Sequence, residues 1–335
     1  MKPDKALQMI GMAQRAGSVC SGEFMTETSV KEAQAFLVIV AKDASENTQK
    51  KFRNMCDFYE VPYRVYGDRE TLGHCIGKEF IGEIYMRIAT YNVWDSDTGM
   101  PVRFQQLVDE IIGIQSDIIC LQEVSDCQIH DRLSYLCGYG NSHWQAQTGL
   151  SILSRYPIEK TINFKYATSA YIQFESKTIL VINVHLPWEK ASLREKAIVD
   201  IVDIVESISS MQADYTLIMG DFNSSEESSV YRFLTNEQSL LGADAYYFDL
   251  AEVYAEMNGT KTLATLNFHK NPRWGIAEPQ NTIEVNQRFD WILLKNPYPN
   301  KLPELKSSTM FGTKISEETH LAASDHYGIM VEIEF

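Results

Sequence analysis

Six cysteines are scattered through the 335 residues without a CxxC spacing, so neither a thiolate zinc site nor a regular disulfide framework suits the chain. Cys120 sits inside the apolar run SDIICLQEV, and buried, reduced thiols are the better reading of the set. Long apolar runs are missing as well. Behind Lys2 and Lys5 the apolar residues are interrupted by Gln8, Gln14 and Arg15, which fits neither a secretory signal nor a membrane span, so a cytoplasmic protein without stable membrane insertion is expected. Positive charge is scarce: 30 Lys and Arg stand against 45 Asp and Glu, for a net charge of −15. Bulk attraction to a polyphosphate is thereby excluded, although a local basic groove is not. Gly/Ser or Pro-rich linkers, internal repeats and low-complexity tracts are also absent.

What is present is an ordinary globular composition, 44% hydrophobic and 22% charged, in a chain long enough for two domains. The first eighty or so residues alternate between helical and extended patterns. DKALQMIGMAQRAG and ENTQKKFRNMCDFYE carry apolar residues at helical spacing, whereas FLVIVAKD and VPYRVYG read as short strands. From Met86 the texture changes to strands that end in polar residues: MRIATYNVW, SDIICLQEV, TILVINVHLPW, YTLIMGDFN, QRFDWILL and HYGIMVEIEF. Helical stretches such as FQQLVDEIIGIQ and LREKAIVDIVDIVESI lie between them, so the fold class is mixed α/β. Two domains are expected, 1–82 and 86–335. The acidity belongs to the second, in which 19 positive residues face 33 negative ones.

The chemistry is suggested by where polar residues interrupt apolar strands. Asn92, Glu123, His185, Asp221 with Asn223, Asp290, and Asp325 with His326 each fall in or at the end of such a run. Burying unpaired carboxylates is costly, so a set of them on strand ends is best explained by a shared polar cleft that holds a cation. Carboxylates, amides and imidazoles suit a hard divalent ion, Mg²⁺ or Mn²⁺, and phosphate-ester hydrolysis is the reaction such a cleft supports. Taken one at a time, Asn92, Asn223 and Asp221 also read as turn or cap residues, and Asp290 as a surface charge. Trp188, Trp274, Phe268 and Tyr166, in expected loops, read first as packing residues rather than as a platform for a base or a lipid.

TYNVW, LQEV, GLSILSRYPI, NVHLPW, GDFNSS, RFDWILL and SDHYG, in that order, resemble the endonuclease/exonuclease/phosphatase superfamily. The resemblance implies a four-layer α/β sandwich of two packed mixed sheets flanked by helices. It also implies a metal-dependent phosphoesterase, most simply a phosphodiesterase. On that likeness Glu123 is the principal metal ligand with Asn92 and Asp325 beside the ion, and Asp221 activates the attacking water. Asn223 orients the water or the phosphate, His185 and His326 donate to phosphate oxygens, and Asp290 holds His326. Trp94 and His185 place the chain nearer the sphingomyelinase-like and deoxyribonuclease-like branches than the abasic-endonuclease branch. The substrate expected is a phosphate ester, whether nucleotide, nucleic acid or lipid headgroup.

LQMIGMAQRAGSVCSGE, VIVAKDASENTQKK, YEVPY and LGHCIGKE resemble a bacterial branch of the ribosomal kink-turn-binding protein family over residues 1–79. That likeness implies a small α-β-α sandwich, here truncated, with an RNA face from Gly22, Glu23, Leu72 and Gly73. Structured RNA is then a second candidate partner, delivered to a nuclease. The family's usual Asn-Glu pair is not evident, and YGDRET carries little basic charge. FIGEIY runs straight into MRIATYNVW, so an engineered or gene-model fusion is favoured over a natural fusion in which IGEIY completes the first sheet.

Overall fold

A computed structural model describes residues 4–44, 46–76, 85–209, 213–277 and 283–335. The chain divides into two compact units, Met1–Ile84 and Tyr85–Phe335. In the first, α1 (Lys5–Arg15), α2 (Glu23–Lys31), β1 (Val38–Val40), α3 (Glu46–Phe58), β2 (Tyr63–Val65) and α4 (Arg69–Cys75) follow in order. Asp4 caps α1 by accepting from the Ala6 amide at 2.9 Å, and Asp68 caps α4 by accepting from Thr71 at 2.7 Å. β1 and β2 pair in parallel. Phe52 and Cys56, one turn apart on α3, close with Val30, Val38 and Val40 a small apolar core.

The second unit contains β3 (Tyr85–Asn92), α5 (Val102–Ile114), β4 (Ile118–Gln122), α6 (Cys127–Leu136), β5 (Asn141–Gln145), β6 (Leu150–Ser154), β7 (Ile158–Asn163), β8 (Ala167–Phe174) and β9 (Lys177–His185). After these come α7 (Ala191–Ser209), β10 (Tyr215–Asp221), α8 (Ser229–Leu234), β11 (Tyr247–Asp249), α9 (Leu250–Met257), α10 (Pro272–Ala277), β12 (Asp290–Lys295), β13 (Glu304–Phe311) and β14 (Gly328–Glu334). The strands form two six-stranded sheets, ordered β13-β14-β3-β4-β6-β5 and β11-β12-β10-β9-β8-β7. Both are mixed: β3–β4 and β9–β10 are parallel, and β4–β6 and β10–β12 antiparallel.

Successive strand side chains point to opposite faces, and here both faces are covered. Met86, Ile88, Ile118 and Cys120 meet Val181, Leu217, Met219 and Ile292 between the sheets. Their neighbours Tyr91, Ile119 and Leu121 pack against Leu107 and Ile111 of α5, while Leu180, Ile182 and Ile218 pack against Ile198 and Val202 of α7. Helix, sheet, sheet and helix therefore stack as four layers, the architecture the sequence motifs imply. All six cysteines are free. Cys56, Cys120 and Cys137 are buried, but Cys20 and Cys127 are exposed, the latter because it opens α6 on its solvent side. No helix among the described residues is long and apolar enough to cross a membrane.

Candidate active site

The period-two alternation that fills the space between the sheets also aims the candidate side chains. Asn92 continues the Met86, Ile88, Thr90 face of β3. His185 continues Ile179, Val181 and Asn183 on β9, Asp221 continues Leu217 and Met219 on β10, and Asp290 heads the face of Ile292 and Leu294 on β12. All four reach the same edge of the sandwich. Register aligns them, since Asp221 lies opposite His185 on one side and opposite Asp290 on the other. Gly220 permits this approach: its φ is +142°, and an added Cβ would stand 1.9 Å from the Val184 carbonyl oxygen. The Gly-Asp pair is thus a packing requirement as much as a chemical one.

Asn92 is buried and donates from Nδ2 to Glu123 Oε1 at 3.0 Å and to Asp221 Oδ2 at 3.1 Å, while its Oδ1 accepts from the Trp94 amide at 2.9 Å. Glu123 follows β4 with a positive φ of 61°, and its Oε2 accepts from the Asp95 amide at 2.9 Å. His185 Nε2 stands 3.6 Å from Asp221 Oδ2 and 3.8 Å from Glu123 Oε1. His326 Nε2 lies 3.8 Å from the same Asp221 oxygen, and its Nδ1 is 2.9 Å from Asp290 Oδ2. Asp221 Oδ1 accepts from the Asn223 amide at 2.8 Å, and Asn223 Nδ2 donates to the Leu186 carbonyl at 2.8 Å. One carboxylate oxygen of Asp221 therefore faces an amide and two imidazoles. Asp325 stands beside His326, with Oδ1 accepting from Ser324 Oγ at 3.3 Å. The structure brings the side chains of Asn92, Glu123, His185, Asp221, Asp290 and His326 together at one edge, with Asp325 next to His326 and Asn223 meeting Asp221 through its backbone amide.

Charge in this cleft is strongly biased. Burial opposes charge on His326, but the Asp290 and Asp221 carboxylates outweigh it and hold the ring protonated well above the usual histidine range. Burial raises Asp290, against the pull of His326. Burial also raises Asp325, with His326 opposing and the neighbouring Glu123 charge adding to the rise. Donor atoms of Asp221, Asp290 and His326 lie within 4.8 Å of one another. A protonated, carboxylate-bound imidazole is nevertheless a poor ligand. Glu123 and Asp325, whose carboxyl the Glu123 charge helps to raise, offer the oxygen ligands that a hard cation prefers.

Several side chains that shape the cleft carry no motif. Asn271, 1% exposed, donates from Nδ2 to the carbonyls of Ser324 and Asp325 at 2.9 and 3.0 Å. Trp274 Nε1 donates to the Asp325 carbonyl at 3.0 Å and Arg273 Nε to Ala322 at 2.7 Å, so the segment before and within α10 clamps the SDH loop. The guanidinium groups of Arg103 and Arg273 lie 5.4 and 4.7 Å over the Trp94 ring, and burial pushes Arg273 down to about 10. Ser324 Oγ donates to the Asn92 carbonyl at 2.7 Å, tying β3 to the same loop. One layer below the cleft, Gln122 Nε2 donates to Asn183 Oδ1 at 2.7 Å and bridges the two sheets. The last pair was readable from period two, because Gln122 and Asn183 are amides on the inter-sheet face; the clamp residues sit in a loop with no period.

In the first unit Gly22 has φ +103° and precedes α2, whose first residue is Glu23; the Glu23 side chain lies outside the described residues. Leu72 and Gly73 fall within α4, where Gly73 is buried. Gly22 and Leu72 line the same groove of about 680 Å³, with Phe36 and Leu37.

A sequence model of the Endonuclease/Exonuclease/phosphatase family matches residues 89–326, which span every cleft residue named above. A second, for the Ribosomal protein L7Ae/L30e/S12e/Gadd45 family, matches residues 4–92. Over 71 residues the chain is 44% identical to the RNA-binding protein YlxQ of Bacillus subtilis (strain 168), a match covering 21% of this chain and 71% of that protein. Over 247 residues it is 24% identical to the probable CCR4-Not complex 3'-5'-exoribonuclease subunit Ccr4 of Vairimorpha ceranae, covering 56% of this chain and 52% of that one, so the chain spans about half the length of that relative. The crystal structure of D. rerio TDP2 complexed with a single strand DNA product superposes with a TM-score of 0.60 at 15% identity, covering 75% of this chain and 99% of the other. That likeness is one of fold.

Proposed function

The chain belongs to the endonuclease/exonuclease/phosphatase family, and from that premise we propose that its second unit is a divalent-metal-dependent phosphodiesterase in which Asp221 activates a water for direct attack on phosphorus. The observation that carries this reading is the convergence of Asn92, His185, Asp221 and the Asp290–His326 pair on one edge between the sheets. Asp221 takes the proton at Oδ2, the oxygen that both imidazoles face. His326, kept protonated by Asp290, and His185 donate to the phosphate oxygens as charge builds on them. Asn223 holds Asp221 through its backbone amide and steadies the loop after β9 through Leu186. Glu123 and Asp325 hold Mg²⁺ or Mn²⁺, with Asn92 beside them fixing Glu123 by its amide. When bound, such an ion polarises a phosphoryl oxygen.

The test is hydrolysis of bis(p-nitrophenyl) phosphate in Mg²⁺ against EDTA, for the wild type and Asp221→Ala. The variant should lose on the order of a hundredfold or more in rate, and EDTA should silence the wild type. Equal rates in both proteins would remove Asp221 from the mechanism. A second reading, that the first unit binds structured RNA and presents it to the second, is favoured by its 44% identity to an RNA-binding protein. Gly22, Glu23, Leu72 and Gly73 are then the RNA-facing positions.

A further inference from the structure

A groove beside His185 takes no part in the chemistry above. About 580 Å³ in volume, it runs from Phe164, Lys165 and Tyr166, in the turn between β7 and β8, along one side of α7. It borders the strand that ends at His185, whose amide donates to the Tyr166 carbonyl at 3.0 Å. Only residues 186–190 separate His185 from α7. Within them Trp188 is 75% exposed, an unusual position for an indole on a pinned backbone: Arg194, in the first turn of α7, donates to the Trp188 carbonyl at 2.9 Å and to Pro187 at 3.5 Å. Lys165 lies 5.0 Å over the Tyr166 ring. Neither Lys165 nor Lys196 is ion-paired among the described residues, whereas Asp200 and Asp203 line the groove one and two turns further along α7. The cationic end is therefore the end nearest His185.

We propose that this groove and the neighbouring exposed Trp188 seat the single-stranded nucleic acid that flanks the phosphodiester at His185, with a base stacked on Trp188 and adjoining phosphates met by Lys165 and Lys196. The inference rests on the phosphodiesterase reading and names its substrate class. An exposed ring beside lysines suits a base between phosphates, and stacking is tolerant of base and sugar. A duplex keeps its base faces covered and needs more phosphate contacts than this acidic unit offers. An anionic lipid surface meets Asp200 and Asp203 on the same face.

The experiment uses full-length protein carrying Asp221→Asn, titrated by fluorescence anisotropy with a labelled oligonucleotide about eight nucleotides long, as RNA, as DNA and as a duplex. Both single strands should bind, the duplex more weakly. Adding Trp188→Ala should raise Kd on the order of tenfold, and Trp188→Phe should recover most of the loss. Replacing Lys165 and Lys196 with Gln should flatten the salt dependence by about 0.7 log units per lost phosphate contact. An unchanged Kd for Trp188→Ala, no single-strand binding, or equal duplex binding overturns the proposal. Hydrolysis of bis(p-nitrophenyl) phosphate, too small to occupy the groove, reads the chemistry separately. A protein that cleaves it but binds oligonucleotides without Trp188 refutes the groove alone. A protein that binds them through Trp188 but cleaves no diester refutes the chemistry alone.

Discussion

The two units contrast in how their candidate residues are held. In the second, strand parity aims Asn92, His185, Asp221 and Asp290, register aligns the last three, and buried amides and a clamped loop hold the groups beside them. In the first, the core among the described residues is five buried apolar side chains around two three-residue strands, and Phe36, Phe58 and Met9 stand 88%, 78% and 66% exposed. Its candidate positions lie at a helix start and inside a short helix, and what Gly22 and Leu72 share is a surface groove. Yet the first unit has the higher identity to a known protein, 44% against 24%. Sequence likeness and internal constraint are separate kinds of support. A deep core dictates a site that chemistry can read directly, whereas a shallow one leaves a surface whose meaning comes from its relatives.

The contrast breaks most sharply at Gly220. Gly220→Ala places a Cβ against the Val184 carbonyl at a φ that alanine resists, so the second unit should lose on the order of 3 kcal/mol or more in chemical denaturation, and hydrolysis with it. Gly22→Ala in the first unit, also at positive φ but with nothing within 4 Å of the added carbon, should cost far less. Residues 85–335 expressed alone should fold and hydrolyse bis(p-nitrophenyl) phosphate within about twofold of the full chain, while losing any gel shift with kink-turn RNA. An inactive fragment would show that the units depend on one another.

A smaller effect probes the Asp290–His326 pair. Because the folded ring titrates above its unfolded value of 6.5, its charge contributes stability that is fully present below that value and lost as pH rises through the folded one. In EDTA, the stability advantage of wild type over His326→Gln should therefore shrink from neutral to alkaline pH. An advantage that grows with pH would show that burial, rather than Asp290 and Asp221, governs the ring.

Much of this was legible in the residues. Period-two runs ending in Asn92, His185 and Asp221 name both the strands and the face on which the chemistry gathers. The register that sets Asp221 between His185 and Asp290 was not, because pairing depends on strands distant in sequence. The clamp from Asn271, Arg273 and Trp274 was hidden for a related reason: its partners are backbone carbonyls of Ala322, Ser324 and Asp325, which no side-chain pattern announces. Trp274 reads as a packing ring in the sequence and proves also to be a hydrogen-bond donor.

The central claim is that water, activated by Asp221, attacks phosphorus in one step. Its most direct test is the stereochemical course of hydrolysis of a single-diastereomer phosphorothioate diester in isotopically labelled water. Inversion at phosphorus is the result expected. Retention would reveal a covalent phosphoryl-enzyme intermediate and contradict the role given to Asp221.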